Sequence, residues 1–165
     1  MELFINNALW GAYYFQQLDS AADDIEVPFC GDPYVCLVWD SRGDSTKEER
    51  LRLASTLWAS GCRHMVCAGK SCEEWHDSAD EAFHFVYPKR EDDSWMTTGH
   101  KNESANEVAF YVVYCTAFQV EGLEFFKYLV LQIGPDEATK KHILDSLNKH
   151  VLERTLWGTR NGSVP

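Results

Sequence analysis

The sequence predicts an α/β fold: a three-layer α/β/α sandwich on a mostly parallel sheet of about four to five strands, Rossmann-like or flavodoxin-like in order. Short apolar runs without polar alternation recur along the chain, as in strands covered by helices on both faces. Amphipathic stretches with capping signals separate them. The length of 165 residues suits a single domain, spanning residues 1–165, and 45% hydrophobic with 25% charged residues is an ordinary folded composition.

The clearest unit runs from Tyr34 to Gly69. Val35 to Trp39 is a nearly unbroken apolar run, preceded by Pro33 and ended by Asp40, Ser41, Gly43 and Asp44. Ser45 with Glu48, and Thr46 with Glu49, both have capping-box spacing and open a helix from Lys47 to Ser60. Leu53, Leu57 and Ser60 share a stripe that Ala54 and Trp58 widen, and Gly61 stops the helix. Met65 to Ala68 is the second strand, so the unit reads as βαβ with a right-handed crossover.

Before this unit, residues 1–33 read as an arm packed on the sheet. Leu3 to Ile5 suits a short strand, Ala8 to Leu18 an aromatic-rich helix weakened by Gly11, and Ser20 to Glu26 an acidic connector. After it, Ser71 with Glu74 is a further capping box, and a helix to about Phe83 buries Trp75, Ala79, Ala82 and Phe83. His84 to Tyr87 reads as a third strand ended by Pro88, and Lys89 to Lys101 as a long polar loop holding Trp95 and Met96. Asn102 or Ser104 opens a helix with Ala105, Val108, Ala109, Val112 and Val113 at helical spacing. Phe126 to Ile133 is a strand, Gly134-Pro135-Asp136 a turn, and Ile143, Leu144, Leu147 and Val151 the face of a last helix. Residues 157–165 read as a frayed tail.

The net charge is -11, from 26 acidic against 15 basic residues. Nucleic-acid binding needs basic patches, so the balance speaks against direct nucleic-acid contact and favours a chain kept soluble by its acidity or one whose partner is basic. The six cysteines fall mainly in predicted core elements and read as small buried hydrophobes. Glu2 stands where a signal peptide is basic, and no stretch is long and apolar enough to span a bilayer, so reduced thiols, no membrane contact and a cytoplasmic location are expected.

Ligands of open parallel sheets bind beyond the carboxyl ends of the strands. That edge collects the candidate ligand-binding residues Asp40, Arg42, Asp44, Lys70 and Ser71. Strand-end carboxylates hold magnesium or act as bases in other proteins, but an Asp-rich turn has the same composition because Asp bonds its own backbone. Gly69-Lys70-Ser71 resembles the end of a phosphate loop, yet His64 stands where the motif needs its first glycine. Plain helix capping is the simpler reading. Cys62, Cys67 and Cys72, with His64 and His76, lack the close ligand pairs of a zinc site, so neither metal nor cofactor is expected. Arg42-Gly43-Asp44 matches an adhesion tripeptide by chance.

Without a complete catalytic motif, the reading leans to a non-enzymatic acidic protein that captures a protein partner. A basic toxin or nuclease bound by an immunity- or antitoxin-like bacterial protein, or a defence-associated protein, fits that profile. The expected contact patch is Glu91, Asp92, Asp93 and Trp95 with His100. The alternative is a nucleotide- or phosphate-binding, or hydrolytic, α/β domain using Asp40, Asp44, Lys70, Ser71 and His100 at the strand ends.

Overall fold

A computed structural model describes residues 1–29, 31–88, 95–116 and 126–160, with residues 159 and 160 described by their backbone alone. The chain runs β1 (Glu2–Asn7), β2 (Gly11–Leu18), β3 (Tyr34–Asp40), α1 (Lys47–Ala59), β4 (Cys62–Gly69), α2 (Cys72–Val86), β5 (Met96–His100), α3 (Ala105–Tyr114), β6 (Lys127–Ile133) and α4 (Glu137–Arg160). The protein is α/β, with a six-stranded sheet in the order β1-β2-β6-β3-β4-β5. Among the described residues only the β1–β2 pair is antiparallel.

The βαβ unit has the expected direction: Val35 to Asp40 pair in parallel with His64 to Gly69. Both strands are buried almost throughout, which is why they lack polar alternation. From β3 the chain steps outward through α1 to β4 and through α2 to β5. It then returns through α3 to β6, on the other side of β3. Reversing direction with crossovers of one hand puts the later helices on the opposite face. Accordingly α1 and α2 cover one face over Cys36, Val38, Met65, Cys67, Leu129 and Leu131. Helices α3 and α4 cover the other over Val35, Leu37, Val66, Ala68, Tyr128 and Val130. The result is three layers, with a topological switch point between β3 and β6.

Helix starts follow the capping chemistry with one exception. Thr46 and Glu49 form the capping box of α1, and Ser104 and Glu107 that of α3. Asp136 opens α4, accepting the Thr139 N–H at 2.9 Å. Ser71, expected to cap α2 with Glu74, makes no side-chain capping bond, because its backbone (φ -114, ψ 41) turns the hydroxyl out of line. The buried faces of the four described helices hold the expected residues, save that Ser60, Ala105 and Leu144 are only half-buried.

Other expectations are corrected. The N-terminal arm does not lie on the sheet but forms two of its strands, and the stretch read as a helix over Ala8–Leu18 is β2. Its burial alternates because one face meets Tyr128 and the other Phe29: Tyr13 stacks on Tyr128 at 4.3 Å between ring centres, and Tyr14 meets Phe29 at 5.1 Å. The strand expected at His84–Tyr87 is the last turn of α2, held helical by Phe83, which packs on Trp58 and Trp95. The loop expected over Lys89–Lys101 contains β5, which among the described residues pairs only with β4; residues 89–94 lie outside them. Helix α4 runs through Trp157 to Arg160 rather than fraying there, and residues 161–165 of the expected tail lie outside the described residues. No helix among the described residues is long and apolar enough to cross a membrane.

Candidate functional site

Two places at the carboxyl edge of the sheet bring chemistry-bearing side chains together. One is the switch point, where the five candidate ligand-binding residues meet. Asp40 ends β3 wholly buried, and its carboxylate is already engaged. Oδ1 accepts the backbone N–H groups of Arg42 at 2.9 Å and Gly43 at 2.8 Å. Oδ2 accepts the Trp75 indole N–H at 3.0 Å and the Ser45 hydroxyl at 3.4 Å. This is the turn-forming aspartate, extended by a buried bond to α2.

The space above Asp40 is filled. Arg42 forks onto Asp44 through Nε at 2.8 Å and Nη2 at 2.6 Å, and its Nη1 reaches the Asp19 carbonyl at 2.9 Å. The fork holds the Asp44 carboxyl below its ordinary range, chiefly through the hydrogen bond. The Arg42 stem lies over Gly134, where a Cβ would come within 2.3 Å of Arg42 Cγ. Lys70 sits over Gly43 in the same way, and its N–H is donated to the Asp40 carbonyl at 2.8 Å. Gly69 presses so closely on β3 that a Cβ there would stand 2.2 Å from the Asp40 carbonyl oxygen, at a φ of 92°. Beneath them Gln132, wholly buried, donates from Nε2 to Ser41 Oγ and to the carbonyls of Gly134 and Asp136, leaving Oε1 without a protein partner. The crevice that open α/β sheets offer to ligands is closed here by the protein's own side chains.

The second place is the outer edge, where the start of α2 faces the end of β5. A cavity of about 500 Å³ is lined by Glu73, His76, Asp77, Gly99 and Lys101. Glu73 and Lys101 pair across its mouth at 2.7 Å. His76 forms its wall, with Nε2 3.3 Å from the Thr97 hydroxyl and Nδ1 3.7 Å from Asp77. Thr97 in turn donates to Asp80. Helix α2 carries Glu73, Glu74, Asp77, Asp80 and Glu81 and neither lysine nor arginine, so this rim is negative.

The expected partner patch divides. Glu91, Asp92 and Asp93 lie outside the described residues. Trp95 is half-buried, stacked on Phe83 at 3.9 Å and edge-on to Trp58 at 6.0 Å, so much of its ring serves packing. His100 is only 6% exposed. It bonds Glu103 through Nδ1 at 2.9 Å and Thr98 through Nε2 at 3.2 Å, on the α3 face of β5, which withdraws it from any contact surface. Glu103–His100–Thr98 has the order of a hydrolytic triad. The Thr98 hydroxyl is shared, however, with Tyr111 and with His64 Nε2 at 3.5 Å, which marks a buried polar network. Burial, with the nearby His100, pushes the His64 pKa down to about 4.

Among the described residues no group of three or more His, Cys, Asp or Glu side chains is placed to hold a metal. Burial pushes the Cys62 thiol up to about 12 and those of Cys36 and Cys67 well above the ordinary range, so they are poor nucleophiles. The α2–β5 cavity escaped sequence reasoning because none of its lining residues forms a motif. The only signal was the run of carboxylates between Glu73 and Glu81.

Fold and sites together define an α/β domain with a filled switch point and an open acidic rim. A domain family of unknown function, DUF7684, matches residues 12–150, and the chain belongs to that family. No curated protein and no solved structure matches it.

Proposed function

We propose that this chain is a non-enzymatic binding protein that captures a basic protein through the acidic face of α2, on a Rossmann-like scaffold. The strand order β5-β4-β3-β6 supports the Rossmann-like reading, since it repeats the 3-2-1-4 order of that sheet. The observation that carries the function is the rim at Glu73, Glu74 and Asp77. These carboxylates are exposed, only Glu73 pairs with a lysine or arginine among the bridges described, and a cavity opens beside them. Exposed charge of one sign steers an oppositely charged partner and speeds encounter. A toxin or nuclease neutralised by an immunity-like protein in the bacterial cytoplasm is the partner type this chemistry favours.

A nucleotide or phosphate site at the strand ends has weaker support. Asp40 and Arg42 already spend their polar groups on the protein itself, and Asp136 caps α4 with a carboxylate where an anion would sit.

Affinity capture from cell extract tests the reading. The wild-type chain retains a basic protein, more weakly as salt rises. A Glu73→Lys, Asp77→Lys double variant loses it. Retention of the same protein by both, independent of salt, contradicts the proposal.

A further inference from the structure

We infer that the outer edge of β5 is a strand-addition site: a basic, extended segment of the partner pairs with it and places a lysine or arginine side chain in the cavity against Asp77. The inference rests on the basic-partner reading above and specifies how that partner is held.

The two edges of the sheet are built differently. Strand β1 has a register break between Leu3 and Ile5, a device that twists an edge away from further pairing. Strand β5 has none: His64 to Ala68 match Met96 to His100 one for one. Its sequence, Met-Thr-Thr-Gly-His, holds no proline and no lysine or arginine, the residues that usually guard an edge. Among the described residues, no strand pairs with it opposite β4. An edge left regular and unguarded is a template for an extended peptide, whose main-chain bonds give affinity while alternate side chains enter pockets.

The pocket is in place. Gly99 is exposed and belongs to both the strand and the cavity wall. A Cβ added there would meet nothing nearer than His76 Cβ at 3.7 Å, so glycine is not forced by packing but does leave room. Side chains of an added strand alternate in direction, and those on the α2 side would reach Asp77 and Glu73. Glu73 is already paired with Lys101, whereas among the described residues the ion-pair partner of Asp77 is His76, at 3.7 Å. Charge complementarity therefore selects a basic side chain there. A long acidic or apolar one would be repelled or left against carboxylates.

Fluorescence anisotropy with a labelled peptide alternating lysine and valine tests this on the intact chain. A second peptide of the same sequence carries N-methyl groups on every other amide, which keeps its charge but removes the donors along one edge. The inference expects the first peptide to bind, and the methylated peptide to bind roughly tenfold more weakly or worse when the methylated edge is the pairing one. Gly99→Ala, which fits sterically, weakens the first peptide several-fold without lowering the melting temperature. Equal binding of the two peptides, with methyl groups tried on either edge, overturns strand addition and leaves the basic-partner reading standing. A persistent methylation effect with no response to Asp77→Lys keeps the strand site and overturns the basic-partner reading. No binding of either peptide overturns the inference.

Discussion

The switch point and the outer rim sit at the same carboxyl edge of one sheet, yet the protein treats them oppositely. At the switch point every polar group of Asp40 is consumed by the turn and by Trp75, and Arg42 and Lys70 lie over the glycines that would otherwise leave a crevice. At the rim Glu73, Glu74 and Asp77 face solvent and a cavity remains. Fold position alone therefore does not locate function. What separates the two is whether polar groups are already satisfied.

The largest expected effect breaks the closed region. Asp40→Ala strands two backbone N–H groups and a buried indole N–H, and at roughly 1–3 kcal/mol for each buried donor left unpaired it costs about 4 kcal/mol of stability. Urea unfolding measures it, with Asp77→Ala expected within about 0.5 kcal/mol of wild type as the matching change at the rim. Equal losses from the two variants would erase the distinction.

The buried network behind the rim gives the next effect. His64 is neutral in the fold down to about pH 4, whereas an unfolded histidine protonates near 6.5. The unfolded state thus binds the extra proton first. The stabilising contribution is complete above about pH 6.5 and is lost as pH falls to 4, reaching about 3 kcal/mol. The faces packed around it bring His100, Tyr111 and, through His100, Glu103. Stability curves at pH 7 and pH 4.5 should converge in His64→Leu relative to wild type. An unchanged acid slope in that variant would assign the loss elsewhere.

Smaller still is the contrast between helix caps. Thr46→Ala removes the hydroxyl that accepts the Glu49 N–H in a formed box and should cost about 1 kcal/mol, while Ser71→Ala removes no capping bond and should cost close to nothing. Thermal melts of the pair decide it. A large loss at Ser71 would mean its hydroxyl caps α2 after all.

Much of the fold was legible because its central strands are buried on both faces. Val35–Trp39, Met65–Ala68 and Phe126–Ile133 read as apolar runs, and they fall in β3, β4 and β6. The periphery was less legible for a physical reason. Strand β5 is polar and lies at an edge, so Met-Thr-Thr-Gly-His shows neither an apolar run nor alternation. The end of α2 has strand-like residues that tertiary packing against Trp58 and Trp95 keeps helical. Asp40, Arg42, Asp44, Lys70 and Ser71 were found because they follow strands, and the structure gathers them. That their bonds are already made depends on Trp75 and Gly134, far away in sequence. The rim cavity joins residues of α2 to Gly99 and Lys101, a pairing that exists only once β5 docks beside β4.

The central claim is that binding happens at the open acidic edge and not at the switch point. Backbone amide spectra recorded while the chain is titrated with the lysine–valine peptide test it directly. The account predicts shifts in residues 72–77 and 96–101, with residues 40–44 and 134–136 unmoved. Shifts centred on Asp40, Arg42 and Gly134, with α2 and β5 silent, would contradict it.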